Sequence, residues 1–190
     1  MVLALFGEPH DPALPSELRA AVAEIAVRWA GETGRAFVSD RVPVSDLAGA
    51  QPFAEPEPEE VAAALAALLA DHQGPLLLVG ADVPRLDAPL AASALGDMAA
   101  GCVFSFAPAT DGKPYLVAFR EVSDEALALV GWRDRHRDQV FAQAMALGGE
   151  IGMLRSERRL VTLADAAALA LDPIVPRELR DLAASAARQA

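Results

Sequence analysis

Short apolar runs that end at glycine or proline alternate along this chain with longer stretches in which apolar residues recur every three to four positions. Apolar runs of about four to eight residues are typical of buried strands, and the longer spacing is typical of amphipathic helices. The runs predict strands at 2–6, 36–38, 76–80, 102–106 and 115–119, with two weaker strands at 151–154 and 159–161. The periodic stretches predict a helix from Ser16, as its cap, to the glycines at 31 and 34, and a helix at 86–98 with Asp87 as its cap. They also predict helices at 58–72, 132–147, 165–171 and 177–188.

The order of these elements favours an α/β fold. Strands and helices alternate through the first two thirds of the chain, which is the pattern of a parallel sheet with helices on its faces. The strand at 115–119 follows its predecessor without a helix, so we expect one antiparallel strand at an edge. Prolines at 43, 52, 56 and 58 predict an irregular, mobile segment at 40–58. We therefore expect a three-layer α/β sandwich over residues 1–190, with a mixed, mostly parallel central sheet and helices on both faces.

The composition limits the partners. A formal net charge of −11 disfavours nucleic-acid backbones and anionic membrane surfaces, because both attract clustered lysine and arginine. The single cysteine, Cys102, excludes an intrachain disulfide and lies in an apolar run, which favours a buried structural thiol. The chain lacks the apolar stretch of about 18 residues that a membrane helix needs, and its start lacks the basic segment of a signal peptide. We expect a soluble cytoplasmic protein.

Asp82 is the first candidate for chemistry. The apolar run 76–80 ends at a glycine and Asp82 follows two residues later, at the carboxyl end of a predicted strand. Open α/β sheets bind ligands in the crevice at this edge. A carboxylate there can hold a hard cation such as Mg²⁺ beside substrate phosphates. The alternative is an ordinary turn or helix-capping aspartate ahead of Pro84.

The turn at Asp111 and Gly112 is the second candidate. Asp-Gly is a tight-turn dipeptide that joins two predicted strands, so a plain hairpin accounts for it. The chain's only lysine, Lys113, follows directly, against fifteen arginines elsewhere. A lysine at a loop tip can pair with a phosphate as a point charge. The residues alone leave both interpretations open.

Three further candidates have simpler explanations. His10 lies in the loop after the first strand, where it could face a phosphate or be solvated. Asp165 could supply a carboxylate to a metal, but with Thr162 nearby a helix cap is the better interpretation. The charged cluster at 133–138 could bind an anion or form a solvated helix face. Apart from these three candidates, the last helix, 177–188, could either pack on the sheet or mediate a homodimer.

Four segments in sequential order resemble the motifs of one bacterial family. Residues 80–86 are similar to a Gly-x-Asp-x-Pro-x-Leu motif, and residues 103–116 to an apolar strand followed by Gly-Pro-x-x-Asp-Gly-Gly-Tyr-Tyr-Leu. Gly131-Trp132 with the helix that follows, and the closing strands from Met153 to Asp165, continue the likeness. Over residues 58–180 the chain resembles small bacterial glycosyltransferase-A-like proteins. This is the arsenosugar-biosynthesis-type or domain-of-unknown-function branch, which is related to the molybdenum-cofactor and phospholactate guanylyltransferases.

The resemblance implies a nucleotide-diphospho-sugar transferase fold with a nucleotide or nucleotide-sugar ligand. It implies that Asp82 holds Mg or Mn on the nucleotide phosphates and that the Asp111 turn lines the acceptor side of the cleft. We take Asp111 and Lys113 as the candidate catalytic residues. The candidate nucleotide- or substrate-binding residues are Gly80, Asp82, Pro84, Gly112, Tyr115 and His10.

The chain departs from that family at three points. Lys113-Pro114 replaces the second glycine of the family's Asp-Gly-Gly-Tyr. The loop at 7–12 carries two acids and no lysine or arginine, where the family has a glycine-rich segment ending in Lys-Thr-Arg-Leu. Residues 160–163 contain no acid, where the family has a second metal carboxylate. Two hypotheses therefore stand. One is a metal-dependent transferase of glycosyl or nucleotidyl groups, and the other is a catalytically degenerate member acting as a binding or assembly module.

Overall fold

The computed structural model describes residues 1–7, 10–55, 57, 60–123, 127, 137–146 and 148–188. In these residues the strands form one seven-stranded sheet with the order β3-β2-β1-β4-β6-β5-β7. Every strand is parallel to its neighbours except β6, which is antiparallel to both β4 and β5. The strands are β1 Val2–Phe6, β2 Arg35–Ser39, β3 Gln51–Phe53, β4 Leu76–Gly80, β5 Phe104–Pro108, β6 Pro114–Phe119 and β7 Ile151–Met153.

Helices cover both faces of the sheet. The described helices are α1 Ser16–Thr33, α2 Val61–Leu68, α3 Ala88–Ala100, α4 Arg137–Ala146, α5 Leu163–Ala170 and α6 Arg177–Ala187. The apolar residues of α1 and α3 belong to the core on one face, and those of α2 and α4 to the core on the other. The last two helices pack with each other against α1, where they form a third apolar cluster.

The strands are apolar on both sides because both sides are covered. In β1, Leu3 and Leu5 belong to the core shared with α1 and α3, whereas Val2, Ala4 and Phe6 belong to the opposite core. A strand buried on both faces needs a continuous apolar run, which is the pattern that predicted β1 and β4. The expected three-layer α/β fold with a mixed, mostly parallel sheet is confirmed.

The position of the antiparallel strand was predicted wrongly. β6 lies inside the sheet between β4 and β5, and not at an edge. The tight turn at Asp111 and Gly112 returns the chain beside β5, and β4 then pairs with the other side of β6, from Leu76 opposite Phe119 to Val79 opposite Leu116. Local sequence specifies the hairpin but not the strand on its far side.

The prediction that the segment 40–58 is irregular holds only in part. It contains β3, which pairs in parallel with β2 at the sheet edge. Pro52 is tolerated there because an edge strand has one side on which no backbone N–H is needed. The weak strand expected at 159–161 does not form, and its place is taken by a single bridge between Ala109 and Glu157.

Of the described helices, α3 and α5 begin with a side-chain cap, whereas α1, α2 and α6 begin without one. The Asp87 carboxylate accepts from the backbone N–H of Leu90 at the start of α3, as predicted. Ser16, expected to cap α1, is instead its first residue and follows Pro15 at the N-cap, which has no side-chain hydrogen bond. The predicted motif at Gly131-Trp132, and the part of the 133–138 cluster before Arg137, lie outside the described residues. None of the described helices combines the length and the apolar character that crossing a bilayer requires.

Candidate functional site

A cleft opens at the carboxyl edge of the sheet, where β1 lies between β2 and β4. The chain leaves β1 toward β2 on one side and later returns to β4 on the other, so the loops after β1 and β4 diverge. Open α/β sheets bind ligands at such a switch point. We call this the switch-point cleft; it holds about 400 Å³ of empty space, including the part open to solvent. Its described lining includes Gly7, His10, Arg19, Arg41, Asp82 and Leu160.

Asp82 forms a buried ion pair at this cleft. Arg159 Nε donates to Asp82 Oδ2 over 2.8 Å, and the exposed fractions of the two side chains are 5% for Arg159 and 13% for Asp82. Burial raises the pKa of the Asp82 carboxyl, and the guanidinium opposes that rise because it stabilises the charged form. The second carboxyl oxygen, Oδ1, is buried and has no hydrogen-bond partner in the described part of the chain.

The same arginine reaches Asp111. Arg159 Nη1 lies 3.6 Å from Asp111 Oδ2, and the other oxygen of Asp111 accepts from the backbone N–H of Lys113 over 3.0 Å. One guanidinium therefore joins the two carboxylates that were expected on the donor and acceptor sides of the site. Arg159 was not among the predicted residues. It lies 77 residues from Asp82 in sequence, and no local pattern marks it.

Two more arginines missed by the sequence analysis line the switch-point cleft. Arg19 comes from the first turns of α1, and Arg41 follows the end of β2 by two residues. The Nε of Arg19 is a buried donor without a partner among the described residues. Arg41 Nη2 lies 3.4 Å from Glu57 Oε1 at an exposed position. The guanidinium groups absent from the loop at 7–12 are thus present on other elements, and His10 of that loop lines the same cleft.

Glu55 holds two of the cleft-lining loops together. Its carboxylate accepts from the backbone N–H of Gly7 over 3.3 Å and from the Ser39 hydroxyl. Ser39 Oγ in turn accepts from the backbone N–H of Arg41 over 3.0 Å. A Cβ added to Gly7 would lie 2.6 Å from Cβ of Arg41, so only glycine permits this approach. The loops after β1 and β2 are therefore fixed relative to each other.

The other predicted residues lie at different points of the same edge. Gly80 is the last residue of β4 and pairs with Phe6. Gly112 has a φ of 85°, which suits the tight turn that Asp111 starts, and Lys113 follows it half-buried. Pro84 lines a second cleft, described below.

Tyr115 lies in the core and not in the cleft. It is 0% exposed, and its hydroxyl donates to the backbone carbonyl of Arg155 over 3.0 Å. Burial raises the pKa of the phenol, so Tyr115 stays neutral. This position does not agree with the expectation that Tyr115 contacts a ligand. The sequence motif placed it correctly on β6, but the interior position of β6 removes it from the surface.

A second cleft beyond Asp82 is dominated by an ion-pair network. Pro84, Arg85, Thr110 and Glu157 are among its lining residues. Arg155 Nε lies 2.8 Å from Glu157 Oε1, and Arg85 Nη1 lies 3.4 Å from Glu157 Oε2. Burial raises the pKa of Glu157, and both arginines oppose the rise. Opposite charges are matched inside this network, so its described residues include no uncommitted cation for a ligand.

The donor set at Asp82 does not fit a divalent metal. Mg²⁺ and Mn²⁺ take oxygen ligands, usually one or two carboxylates with phosphates and waters. Here one oxygen of Asp82 accepts from Arg159, and Asp111 is paired with the same guanidinium. A dication placed roughly 5 Å from a guanidinium is repelled by several kcal/mol at an effective dielectric constant of about 20. No trio of His, Cys, Asp or Glu side chains in the described ranges is arranged to hold a metal ion.

Asp165 does not supply the second metal carboxylate. Thr162 caps α5 and accepts from the backbone N–H of Asp165, whose Oδ2 accepts from the backbone N–H and hydroxyl of Thr162. Arg158 Nη1 donates to the other carboxylate oxygen over 3.0 Å. Although burial has the opposite effect, the hydrogen bonds of Thr162, Arg158 and Val161 lower the pKa of Asp165. The interpretation of Asp165 as a capping residue is confirmed.

Comparison with known sequences identifies a family. Residues 17–134 match the family described as "Uncharacterized protein conserved in bacteria (DUF2064)". No match was found among curated proteins.

Comparison with solved structures identifies the fold. The chain is similar to a candidate nucleotide-diphospho-sugar transferase from Desulfovibrio desulfuricans G20, with a TM-score of 0.66, 16% identity and coverage of 99% of this chain and 96% of that one. It is similar to Rv0371c of Mycobacterium tuberculosis H37Rv, solved as a complex with manganese, with a TM-score of 0.54, 13% identity and coverage of 88% and 95%. It is also similar to the bifunctional IspDF of Campylobacter jejuni, with a TM-score of 0.54 and 9% identity. That match covers 86% of this chain and 52% of the other, so this chain spans about half of that protein. At these identities the likeness shows the fold, as the resemblance in the sequence had implied.

Proposed function

The chain belongs to the family of uncharacterized proteins conserved in bacteria (DUF2064), and we propose that it is a nucleotide-diphospho-sugar transferase-like protein that binds a nucleotide-activated donor in the switch-point cleft. One observation carries the proposal: Arg19 and Arg41, from separate elements, line the cleft beside Asp82. A nucleotide has an anionic phosphate chain and hydroxyl-bearing sugar. Guanidinium groups suit the former and a carboxylate the latter.

The reaction proposed is the transfer of a glycosyl or a nucleotidyl group. In either case an acceptor hydroxyl loses its proton and bonds to the sugar carbon or to phosphorus, and the leaving phosphate departs with the bonding electron pair. Asp111 lies on the far side of Arg159 from Asp82, next to Thr110 of the second cleft, which suits the acceptor side and a role in taking that proton. The roles proposed for Lys113, Arg19 and Arg41 are to stabilise the departing phosphate charge. The structural neighbour that binds manganese makes Mg and Mn necessary arms of any test.

A second candidate function is a binding or assembly module that has lost catalysis. The pairing of both Asp82 and Asp111 with Arg159 favours it, because a carboxylate committed to a guanidinium is a poor metal ligand and a weak base. Turnover separates the two functions. A transferase releases nucleoside diphosphate or pyrophosphate from its donor when acceptor is present, and a module binds the donor without releasing either.

The donor is identified by a thermal-shift screen of nucleoside triphosphates and nucleotide sugars, each with Mg²⁺, with Mn²⁺ and with EDTA. A ligand present at about 100 times its Kd stabilises the folded state by roughly 2.7 kcal/mol, so modest affinity is visible. Calorimetry then compares the wild type with Arg19→Met and Arg41→Met. We expect each variant to bind at least about tenfold more weakly, since a hydrogen bond to a charged group contributes about 1.5–3 kcal/mol.

Arg177→Met is the matched control, because Arg177 is an exposed arginine on α6 that is paired only within its own helix in the described structure. Its affinity should equal that of the wild type. Binding that is unchanged in Arg19→Met and Arg41→Met would place the ligand outside the switch-point cleft. No binding of any nucleotide in any arm would overturn the proposed function.

A further inference from the structure

We infer that Arg159 takes the place of a divalent cation between Asp82 and Asp111, so that the switch-point cleft binds its phosphate-bearing ligand without a metal. The inference rests on the proposed function for the identity of the ligand, but the charge at Asp82 can be tested without one. Its basis is the pair of contacts from one guanidinium, 2.8 Å to Asp82 and 3.6 Å to Asp111.

The backbone fixes Arg159 in this position. The N–H of the next residue, Leu160, donates to the carbonyl of Asp82 over 2.8 Å, so the segment is attached to the loop after β4. Two residues earlier, Glu157 donates its N–H to the carbonyl of Pro108 and accepts from the N–H of Thr110, which attaches the segment to the end of β5. The cation is therefore held between two strand ends and is as much a part of the site as the two carboxylates.

The charges of the cleft are consistent with this role. A divalent cation would neutralise two carboxylates, whereas one guanidinium leaves one negative charge, on the more exposed Asp111. A ligand phosphate must then be balanced by other cations of the protein. Arg19 and Arg41 are in place to do so, and the buried Nε of Arg19 is a donor that lacks an acceptor within the described residues.

Asp82 gains a different role in such a site. With Oδ2 committed to Arg159, the remaining acceptor is Oδ1, which has no donor in the described structure. A single oxygen next to a fixed cation suits a hydrogen-bond donor far better than a second cation. Asp82 is thereby assigned to hydrogen bonding and not to metal coordination.

The first test uses the wild-type protein with Mn²⁺ as the probe. Electron paramagnetic resonance of a Mn²⁺ titration should show only the free ion, and the affinity for the nucleotide found in the screen should be the same in EDTA as with Mg²⁺ or Mn²⁺. Stoichiometric Mn²⁺ binding that is lost in Asp82→Asn, or nucleotide binding that disappears in EDTA, would overturn the inference.

The second test removes the arginine. In Arg159→Met the two carboxylates lose their cation, so we expect Mn²⁺ binding to appear and to be abolished again in Arg159→Met/Asp82→Asn. Arg159→Lys, which keeps a charge, should bind no Mn²⁺ and serves as the control for folding. If Arg159→Met does not fold, the wild-type and Arg159→Lys titrations still decide. If no nucleotide binds in any arm, the proposed function fails while the Mn²⁺ titration continues to test Arg159.

Discussion

Asp165, at the start of α5, and Asp82, in the loop after β4, have opposite environments. Asp165 is at a helix start, where Thr162 and Arg158 supply donors to both of its oxygens. Asp82 is more buried, has one charged partner, and keeps one oxygen without a donor in the described part of the chain. The pKa of the first is lowered by its hydrogen bonds and that of the second is raised by burial.

The difference teaches which of the two to regard as functional. Both oxygens of the Asp165 carboxylate have donors, one from the capping box and one from Arg158, so a role in the fold accounts for this residue. A buried acceptor left without a donor costs free energy that nothing in the described fold recovers. Such an atom is the better indicator of a role beyond the fold, and its residue, Asp82, lines the switch-point cleft.

The largest expected effect separates two adjacent arginines. Arg159→Met leaves the carboxylate of Asp82 buried without its partner, which should lower the free energy of unfolding by about 3–5 kcal/mol. Arg158→Met removes the exposed partner of Asp165 and should cost less than about 1 kcal/mol. Urea denaturation of both variants measures the contrast. Similar losses in the two would mean that the Asp82 pair is not buried in solution.

A smaller effect is expected at the helix cap. Thr162→Ala removes the side-chain acceptor of the capping box and should lower the free energy of unfolding by about 1 kcal/mol. Thr162→Ser keeps the hydroxyl and should stay close to the wild type. Thermal denaturation followed by circular dichroism detects the difference. Nucleotide affinity should be the same in all three proteins, and a weaker affinity in Thr162→Ala would extend the site to α5.

The smallest expected effect concerns how the free energy of unfolding depends on pH, which should differ in sign between Asp165 and Asp82. Because the folded pKa of Asp165 is below its ordinary value of 3.8, its contribution is complete above 3.8 and is lost as the pH falls through the folded value. The folded pKa of Asp82 is raised, so its contribution has the opposite sign: stability falls as the pH rises from 3.8 through the raised value. Urea denaturation at a series of pH values between 2 and 7 gives the free energy of unfolding as a function of pH. Relative to the wild type, the slope of this plot should change in opposite directions in Asp165→Asn and Asp82→Asn. Slopes that change in the same direction would contradict these environments.

The local pattern of apolar and capping residues predicted most of the strands and helices, but not how the strands pair in the sheet. Continuous apolar runs specified β1 and β4 because both strands are covered on both faces, and Asp87 announced the start of α3. The interior place of β6 and the pairing of β3 with β2 depend on distant partners, and no run of neighbouring residues encodes them.

The same limit applies to the candidate site. Asp82 could be found because a strand end is a local feature. Arg19 and Arg159 could not, since each is an ordinary arginine until the chain folds. A search for charged residues just after predicted parallel strands would have found Arg41, which follows β2, but neither of the other two.

The distance in sequence between Asp82 and Arg159 sets the order in which the site can assemble during synthesis. The 77 residues that follow Asp82, up to and including Arg159, take roughly 4 to 15 s to translate at about 5 to 20 residues per second. Throughout that interval β1, β2 and β4 are already synthesised, but the aspartate has no cation to accompany it into the interior. We therefore expect this edge of the sheet to stay hydrated in the nascent chain, and the cleft to become a binding site only after Arg159 has left the ribosome.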